Sequence, residues 1–92
     1  MVHIKRVVLD VLKPHSPNAL DFTTAIAEKV PGCRIKLTVT AKDDKTETVL
    51  LIIEGEQVRF NVITEVITTL GGSIHSIDEV EVENGPPEGE TT

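Results

Sequence analysis

Four polar side chains interrupt apolar, strand-like segments near the two ends of the sequence. They are two aspartates and two histidines: Asp10, His15, His75 and Asp78. Carboxylate and water oxygens are the preferred ligands of Ca²⁺ and Mg²⁺, whereas added imidazoles favour Zn²⁺, Ni²⁺ or Mn²⁺. If the fold brings these residues together, the sequence predicts a site for a divalent cation or a small ligand.

The same residues also have a purely structural interpretation. Arg6 and Lys13 lie close to Asp10 in the chain as ion-pair partners, and His75 can cap the end of an element. The lone cysteine, Cys33, is typical of a small buried apolar side chain. No Ser/His/Asp or Cys/His arrangement in the sequence indicates nucleophilic catalysis, so the sequence favours a non-enzymatic protein.

Composition and charge limit the classes of partner. The chain has 92 residues and a net charge of −6, and no Lys or Arg follows Arg59. This acidic surface disfavours nucleic acid and anionic membranes as partners. No apolar run is long enough to span a membrane, and a single cysteine fits a reducing cytoplasm. We expect one domain over residues 1–83 and a disordered acidic tail over residues 84–92.

Hydrophobic periodicity predicts the order strand, helix, strand, strand, helix, strand. The predicted elements span residues 3–12, 17–30, 33–40, 46–53, 62–70 and 73–83. Ser16 is the expected N-cap of the first helix, with Pro17 as its first helical residue. The first and third strands are apolar on both faces, which is typical of central strands. The order predicts an α+β, ferredoxin-like βαββαβ sandwich with antiparallel sheet order 4-1-3-2 and two helices on one face.

Two features of this fold predict self-association. The sheet face without helices carries apolar residues that need cover, either Ile4, Val8 and Leu12 with their neighbours on the third strand or the opposite set. The two edge strands also carry opposite charges: Arg34, Lys36 and Lys42 on or beside the second strand, and Asp78, Glu79, Glu81 and Glu83 on the fourth. We therefore expect a homo-oligomer in a ring arrangement, joined through these edges or through the open face.

The predicted sheet order makes the first and fourth strands antiparallel neighbours. The end of one then faces the start of the other, which places His15 near His75 and lets Asp10 approach Asp78. The leading hypothesis is a non-enzymatic, homo-oligomeric binding or regulatory protein with a divalent-cation or small-ligand site at this junction. Two alternatives stay open: a structural assembly domain that binds a protein partner, and a small enzyme with its active site at a subunit interface.

Other functions of ferredoxin-like domains leave signatures that can be checked. An RNA-recognition domain needs aromatic residues on its central strands, but the only aromatics, Phe22 and Phe60, fall on or near helices. The loop after the first strand lacks the paired cysteines of a soft-metal chaperone and the glycine-rich, arginine-bearing anion loop of an acylphosphatase. A regulatory amino-acid-binding domain of the ACT type remains an alternative, although the usual glycine after the loop proline is missing.

The two end segments also resemble a known family. They are Val8-Leu9-Asp10-Val11-Leu12-Lys13-Pro14-His15 with Pro17, and Gly71-Gly72 followed by Ile74-His75-Ser76-Ile77-Asp78-Glu79-Val80. Together with the central Ile52-Ile53-Glu54-Gly55, they are similar to an archaeal family catalogued as domain of unknown function 211. The resemblance implies a ferredoxin-like fold and oligomeric assembly, and no known biochemical activity. Family members continue with a small, basic stretch where this chain has Glu81-Val82-Glu83-Asn84.

Overall fold

The computed structural model describes residues 1–85 and contains the predicted order of elements. These are β1 (Val2–Pro14), α1 (Ala19–Lys29), β2 (Arg34–Lys42), β3 (Thr46–Glu54), α2 (Phe60–Thr69) and β4 (Ser73–Asn84). The strands form one antiparallel sheet in the order β2-β3-β1-β4, which is the predicted order counted from the other edge. The ferredoxin-like α+β fold is therefore confirmed. Of the predicted tail, Asn84 ends β4, and residues 86–92 lie outside the described part of the chain.

The hydrophobic core lies between the sheet and the two helices. Alternate residues of the central strands face it and are almost fully buried: Val7, Leu9 and Val11 on β1, and Val49, Leu51 and Ile53 on β3. The helices supply Phe22, Ile26, Ile63 and Ile67 to the same cluster. Each such side chain contributes about 1.5–3 kcal/mol by leaving water, so these rows hold β1 and β3 at the centre of the sheet.

The helix ends are fixed by local hydrogen bonds. The Asn18 side chain accepts a 2.8 Å bond from the backbone N–H of Asp21 and so caps α1. The prediction of Ser16 as the N-cap and Pro17 as the first helical residue is wrong, because Asn18 is the residue that reaches this free N–H. At the other helix, Gly71 has φ +86° and directs the chain into β4, a backbone conformation that favours glycine.

The face of the sheet without helices is called the open face below. Its central residues are Arg6, Val8, Asp10 and Leu12 on β1, and Thr48, Leu50, Ile52 and Glu54 on β3. Of the two sets that the sequence allowed, the structure places Val8 and Leu12 of the first set on this face, but Ile4 packs against the core instead. The cause is a shift in the β1–β4 register between Ile4 and Arg6, which turns Ile4 to the helix side.

The helices of the described residues are short. α1 has 11 residues and α2 has 10, and neither is long and apolar enough to cross a membrane.

Candidate functional site

β4 contains two β-bulges, and they coincide with the polar residues of the second sequence segment. Asp10 pairs with Ser76 while the next residue of β1 pairs with Ile74, so His75 is the extra residue of one bulge. Asp78 is the extra residue of the other, between Ile77 and Glu79. A bulge inserts one residue into a strand and redirects its side chains. The odd spacing of polar residues in this segment is therefore a consequence of two bulges.

The bulges crowd polar side chains onto the open face. Ile74, Ile77 and Val80 pair with core-facing residues of β1, so they stay on the helix side although they are three residues apart. The two residues between each pair of apolar side chains then lie on the open face: His75 with Ser76, and Asp78 with Glu79. The Ser76 hydroxyl donates a 2.8 Å hydrogen bond to Asp78, and Arg6 donates to Glu79.

His75 and Asp10 line the same shallow depression on the open face. This depression has a volume of about 360 Å³ and is lined by Asp10 and Leu12 of β1, Thr48 of β3 and His75 of β4. It offers one carboxylate, one imidazole and one hydroxyl group. Three strands contribute to it, so it depends on the sheet order and on the bulge that redirects His75.

The expected ion pairs of Asp10 do not form. Arg6 donates instead to Glu54, at 2.8 Å, and to Glu79, while Lys13 donates to Glu47. Within residues 1–85, the Asp10 carboxylate has no basic group within 4 Å. Asp10 is thus a partly buried carboxylate whose charge is not neutralised by a neighbouring basic side chain.

The other two predicted ligands lie outside this depression. His15 turns toward the turn between β2 and β3, where its Nε2 is 2.7 Å from the Asp43 carbonyl oxygen and its Nδ1 is 3.6 Å from the Glu47 carboxylate. Asp78 lies further along β4, bonded to the Ser76 hydroxyl. The structure therefore brings Asp10 and His75 together, leaves Asp78 close by on the same face, and directs His15 elsewhere.

The described residues do not form a complete metal site within one chain. Among residues 1–85, no three His, Cys, Asp or Glu side chains are grouped closely enough to hold a metal ion. A cation in the depression would meet Asp10 and His75 and would complete its coordination with water or with a second copy of the chain.

A buried ion pair lies at one end of the core and was not predicted from the sequence. The fully buried Lys13 ammonium donates to Glu47 at 2.7 Å and to the Pro14 carbonyl at 2.8 Å, and it lies 5.6 Å from the centre of the Phe22 ring. The hydrogen bond from Lys13 lowers the pKa of the Glu47 carboxyl, and the nearby Lys42 adds to this effect.

The signal for this pair was present in the strand alternation. Lys13 continues the core-facing row of Val7, Leu9 and Val11, and Glu47 precedes the core-facing row of β3. Because successive residues of a strand alternate between faces, this alternation predicts both charged residues on the helix side, where a buried charge needs a partner of opposite sign.

Cys33 is partly buried and packs against the core. Burial raises the pKa of its thiol, which keeps the sulfur in the less nucleophilic protonated form. This environment agrees with the expectation of a small apolar side chain and gives no support to a reactive role.

Comparison with known proteins adds to this description. The model of a family described as "Uncharacterized ArCR", domain of unknown function 211, matches residues 5–85. A curated protein of the archaeon Methanocaldococcus jannaschii, itself named as uncharacterised, is 44% identical over 77 residues, which cover 84% of this chain and 79% of that protein. The family match includes both Asp10 and His75. On this evidence the chain belongs to the archaeal family of domain of unknown function 211.

Proposed function

We propose that this protein is a non-enzymatic, homo-oligomeric binding protein that holds a divalent cation, or a small ligand, on the open face at the junction of β1 and β4. One observation carries the proposal: the Asp10 carboxylate, which has no basic partner within residues 1–85, shares a depression with His75. The proposal includes a cytoplasmic location, which is compatible with the single partly buried cysteine.

The chemistry of the depression favours a cation. Asp10 lies between Val8 and Leu12 on the same face of β1, so apolar groups limit its contact with water. Asp78 lies further along β4 and adds negative potential to this side of the face, whereas Glu79 is paired with Arg6. The imidazole of His75 favours Zn²⁺ or Mn²⁺ over Ca²⁺ and Mg²⁺, which prefer oxygen ligands alone.

Cation binding and self-association are linked in this proposal. Two protein ligands from one chain give weak binding, and a second copy can supply more. Leu12 next to the depression is 41% exposed, and Leu50 and Ile52 beside it are only partly buried, so this part of the open face is apolar enough to favour contact. A cation held between copies stabilises the assembled state over the free chain.

Isothermal titration of chelator-treated protein with Zn²⁺, Mn²⁺, Ca²⁺ and Mg²⁺ tests the cation site. Asp10→Asn and His75→Gln should each weaken binding by roughly ten-fold or more, because even the loss of an outer-sphere partner weakens metal binding that much. The matched controls are Asp44→Asn in the exposed β2–β3 turn and His3→Gln near the N-terminus, which should bind like the unaltered protein.

The outcomes separate the two functional classes. A cation that binds and raises the thermal midpoint only when Asp10 and His75 are intact supports the proposal. If no cation binds, or if Asp10→Asn binds as well as the unaltered protein, the cation site is refuted. An oligomer that persists without any cation would then favour the alternative of a structural assembly domain.

A further inference from the structure

The last part of β4 combines three features of an unpaired docking surface. β4 is an edge strand, so one side of its backbone has no partner strand among residues 1–85. Its helix-side residues Ile77, Val80 and Val82 are 51%, 54% and 55% exposed, because the helices do not cover this part of the sheet. Beyond the second bulge, Val80 and Val82 alternate regularly with Glu81 and Glu83. This segment therefore has an apolar row on one face and an acidic row on the other.

β2, the opposite edge of the sheet, carries the complementary pattern. Ile35 and Leu37 pair with core-facing residues of β3 and lie on the helix side, whereas Arg34 and Lys36 lie on the open face. Arg34 and Lys36 are exposed, and no carboxylate within residues 1–85 lies within 4 Å of either side chain. The basic row of β2 thus lies on the same face as the acidic row of β4.

We infer that β2 of a second copy of this chain adds to β4 as an antiparallel neighbour and continues the sheet. The inference rests on the proposed homo-oligomer and adds the two sheet edges to the open face as surfaces that join its subunits. One register pairs both rows at once: Glu81 faces Lys36 and Glu83 faces Arg34 on the open face, while Val82 faces Ile35 and Val80 faces Leu37 on the helix side. Glu83 also lies 3.9 Å from the Lys5 ammonium, whose shorter contact is with Glu56 at 3.0 Å.

Neighbouring registers fit less well. A shift of two residues in one direction leaves Glu81 opposite Thr38, so one ion pair is lost. A shift in the other direction needs Glu79 opposite Lys36, but Glu79 already accepts from Arg6 and lies next to a bulge that breaks the regular alternation. Opposite charges directly across a strand pair are stabilising, so the first register is preferred.

The strand directions allow this contact to repeat. β2 runs parallel to β1 because both are antiparallel to β3, and β4 is antiparallel to β1. A copy in the same orientation therefore presents β2 antiparallel to β4. Such a head-to-tail contact repeats from copy to copy and closes into a ring when the rotation per subunit allows it.

The chain's own last residues are a poor cover for this surface. The sequence after Gly85 is Pro86-Pro87-Glu88-Gly89-Glu90-Thr91-Thr92, which has no aliphatic or aromatic side chain apart from the two prolines and adds two carboxylates. Their charge has the same sign as the acidic row of β4, whereas the basic row of β2 has the opposite sign. Charge complementarity therefore favours β2 of a second copy, rather than residues 86–92, as the cover of this surface.

Charge reversal with light scattering at micromolar concentration and low salt tests the contact. Lys36→Glu and Glu81→Lys should each lower the mass toward the 10.0 kDa of one chain. The double variant should restore the mass of the unaltered protein, because the two edges then attract each other with the charges exchanged. Lys45→Glu in the turn and Glu28→Lys on α1 are charge-matched controls at exposed positions and should leave the mass unchanged.

Disulfide cross-linking tests the register in a Cys33→Ala background. The cysteines of a Lys36→Cys, Glu81→Cys variant would be directly opposite and within disulfide distance, so oxidation should give a ladder of linked chains. The control variant Thr38→Cys, Glu81→Cys places its two cysteines diagonally, about 7–8 Å apart, and should not link.

The possible results distinguish this inference from the proposed function. Restored mass in the double reversal and selective linking of positions 36 and 81 support it. The edge contact is refuted if neither charge reversal changes the mass of the oligomer and no chains link at these positions. The proposed homo-oligomer would then still stand. A monomer of the unaltered protein, with or without cation, refutes both the contact and the homo-oligomer.

Discussion

Lys13 and Asp10 are three residues apart on β1 and have opposite environments. An odd separation in a strand places two side chains on opposite faces, so Lys13 enters the core while Asp10 stays on the open face. Lys13 is neutralised by Glu47, directly across the ladder, at 2.7 Å. This alternation explains why Asp10 has no ion pair within residues 1–85, although Lys13 is close to it in the sequence.

Glu47→Gln should destabilise the fold because it leaves the Lys13 ammonium buried without an opposite charge. The loss of unfolding free energy should be roughly three times or more that of Glu56→Gln, which removes a fully exposed partner of Lys5. Urea denaturation of the two variants at neutral pH measures the difference. Equal losses would show that the buried pair contributes no more than a surface pair.

Acid should weaken the fold through the same carboxylate. The hydrogen bond from Lys13 lowers the pKa of Glu47 in the folded state. Its contribution to stability is therefore present above the ordinary pKa of 4.5 and is lost as pH falls through the lowered value. Asp43, whose pKa is lowered by hydrogen bonds from the Thr46 and Lys45 backbone, acts in the same direction.

Denaturation series at pH 6 and pH 3 measure this effect. The unaltered protein should lose more stability between the two values than Glu47→Gln, because the variant has no carboxylate to protonate at this position. A pH dependence that is the same in both proteins would contradict the assignment to Glu47.

At the scale of the elements, the regular strands were predictable and the bulged strand was not. The alternation of residues 33–40 predicts Cys33, Ile35, Leu37 and Val39 on the core-facing side. The first three pack against the core, whereas Val39 lies beyond the cover of the helices and is 39% exposed. In β4 the apolar residues recur every three positions, because a bulge separates Ile74 from Ile77 and another separates Ile77 from Val80. A two-residue period cannot describe such a strand, so the faces of His75 and Asp78 could not be assigned from the sequence.

Asn18→Ala should destabilise the protein by about 1 kcal/mol, because it leaves the N–H of Asp21 without its capping acceptor. Ser16→Ala is the matched control and should change the stability by less than about 0.5 kcal/mol, since Ser16 is exposed and does not cap α1. Thermal or urea denaturation of both variants checks the assignment. A larger loss of stability in Ser16→Ala than in Asn18→Ala would contradict this assignment. It would indicate that Ser16 is the N-cap, as the sequence predicts.

At the scale of the whole molecule, the fold was predictable because two independent patterns agreed. The order of elements and the doubly apolar strands both place β1 and β3 at the centre of the sheet. The site was predictable only in part. His15 follows the end of β1, and the loop that carries it bends toward Asp43 rather than toward β4. Strand adjacency limits where a strand residue lies, but it does not fix the direction of a side chain beyond the strand end.

One edge strand of the sheet, β2, is basic and the other, β4, is acidic. We therefore expect added salt to weaken an assembly that joins these edges. Raising the ionic strength from about 0.05 M to about 1 M shortens the screening length to about 3 Å and weakens exposed ion pairs. The protein concentration at which half of the chains are assembled, measured by light scattering, should rise with salt. Assembly should still occur at high salt, because the contacts of the apolar row are not screened. An assembly that tightens with added salt would indicate that apolar contacts alone join the copies.

Native mass spectrometry tests the central claim of a cation-binding homo-oligomer most directly, because it reports the number of subunits and any retained cation together. We predict a species at a multiple of 10.0 kDa that carries additional mass from divalent cations, and we predict that Asp10→Asn removes this additional mass. A single 10.0 kDa chain without any retained cation, under the same conditions, would contradict the account.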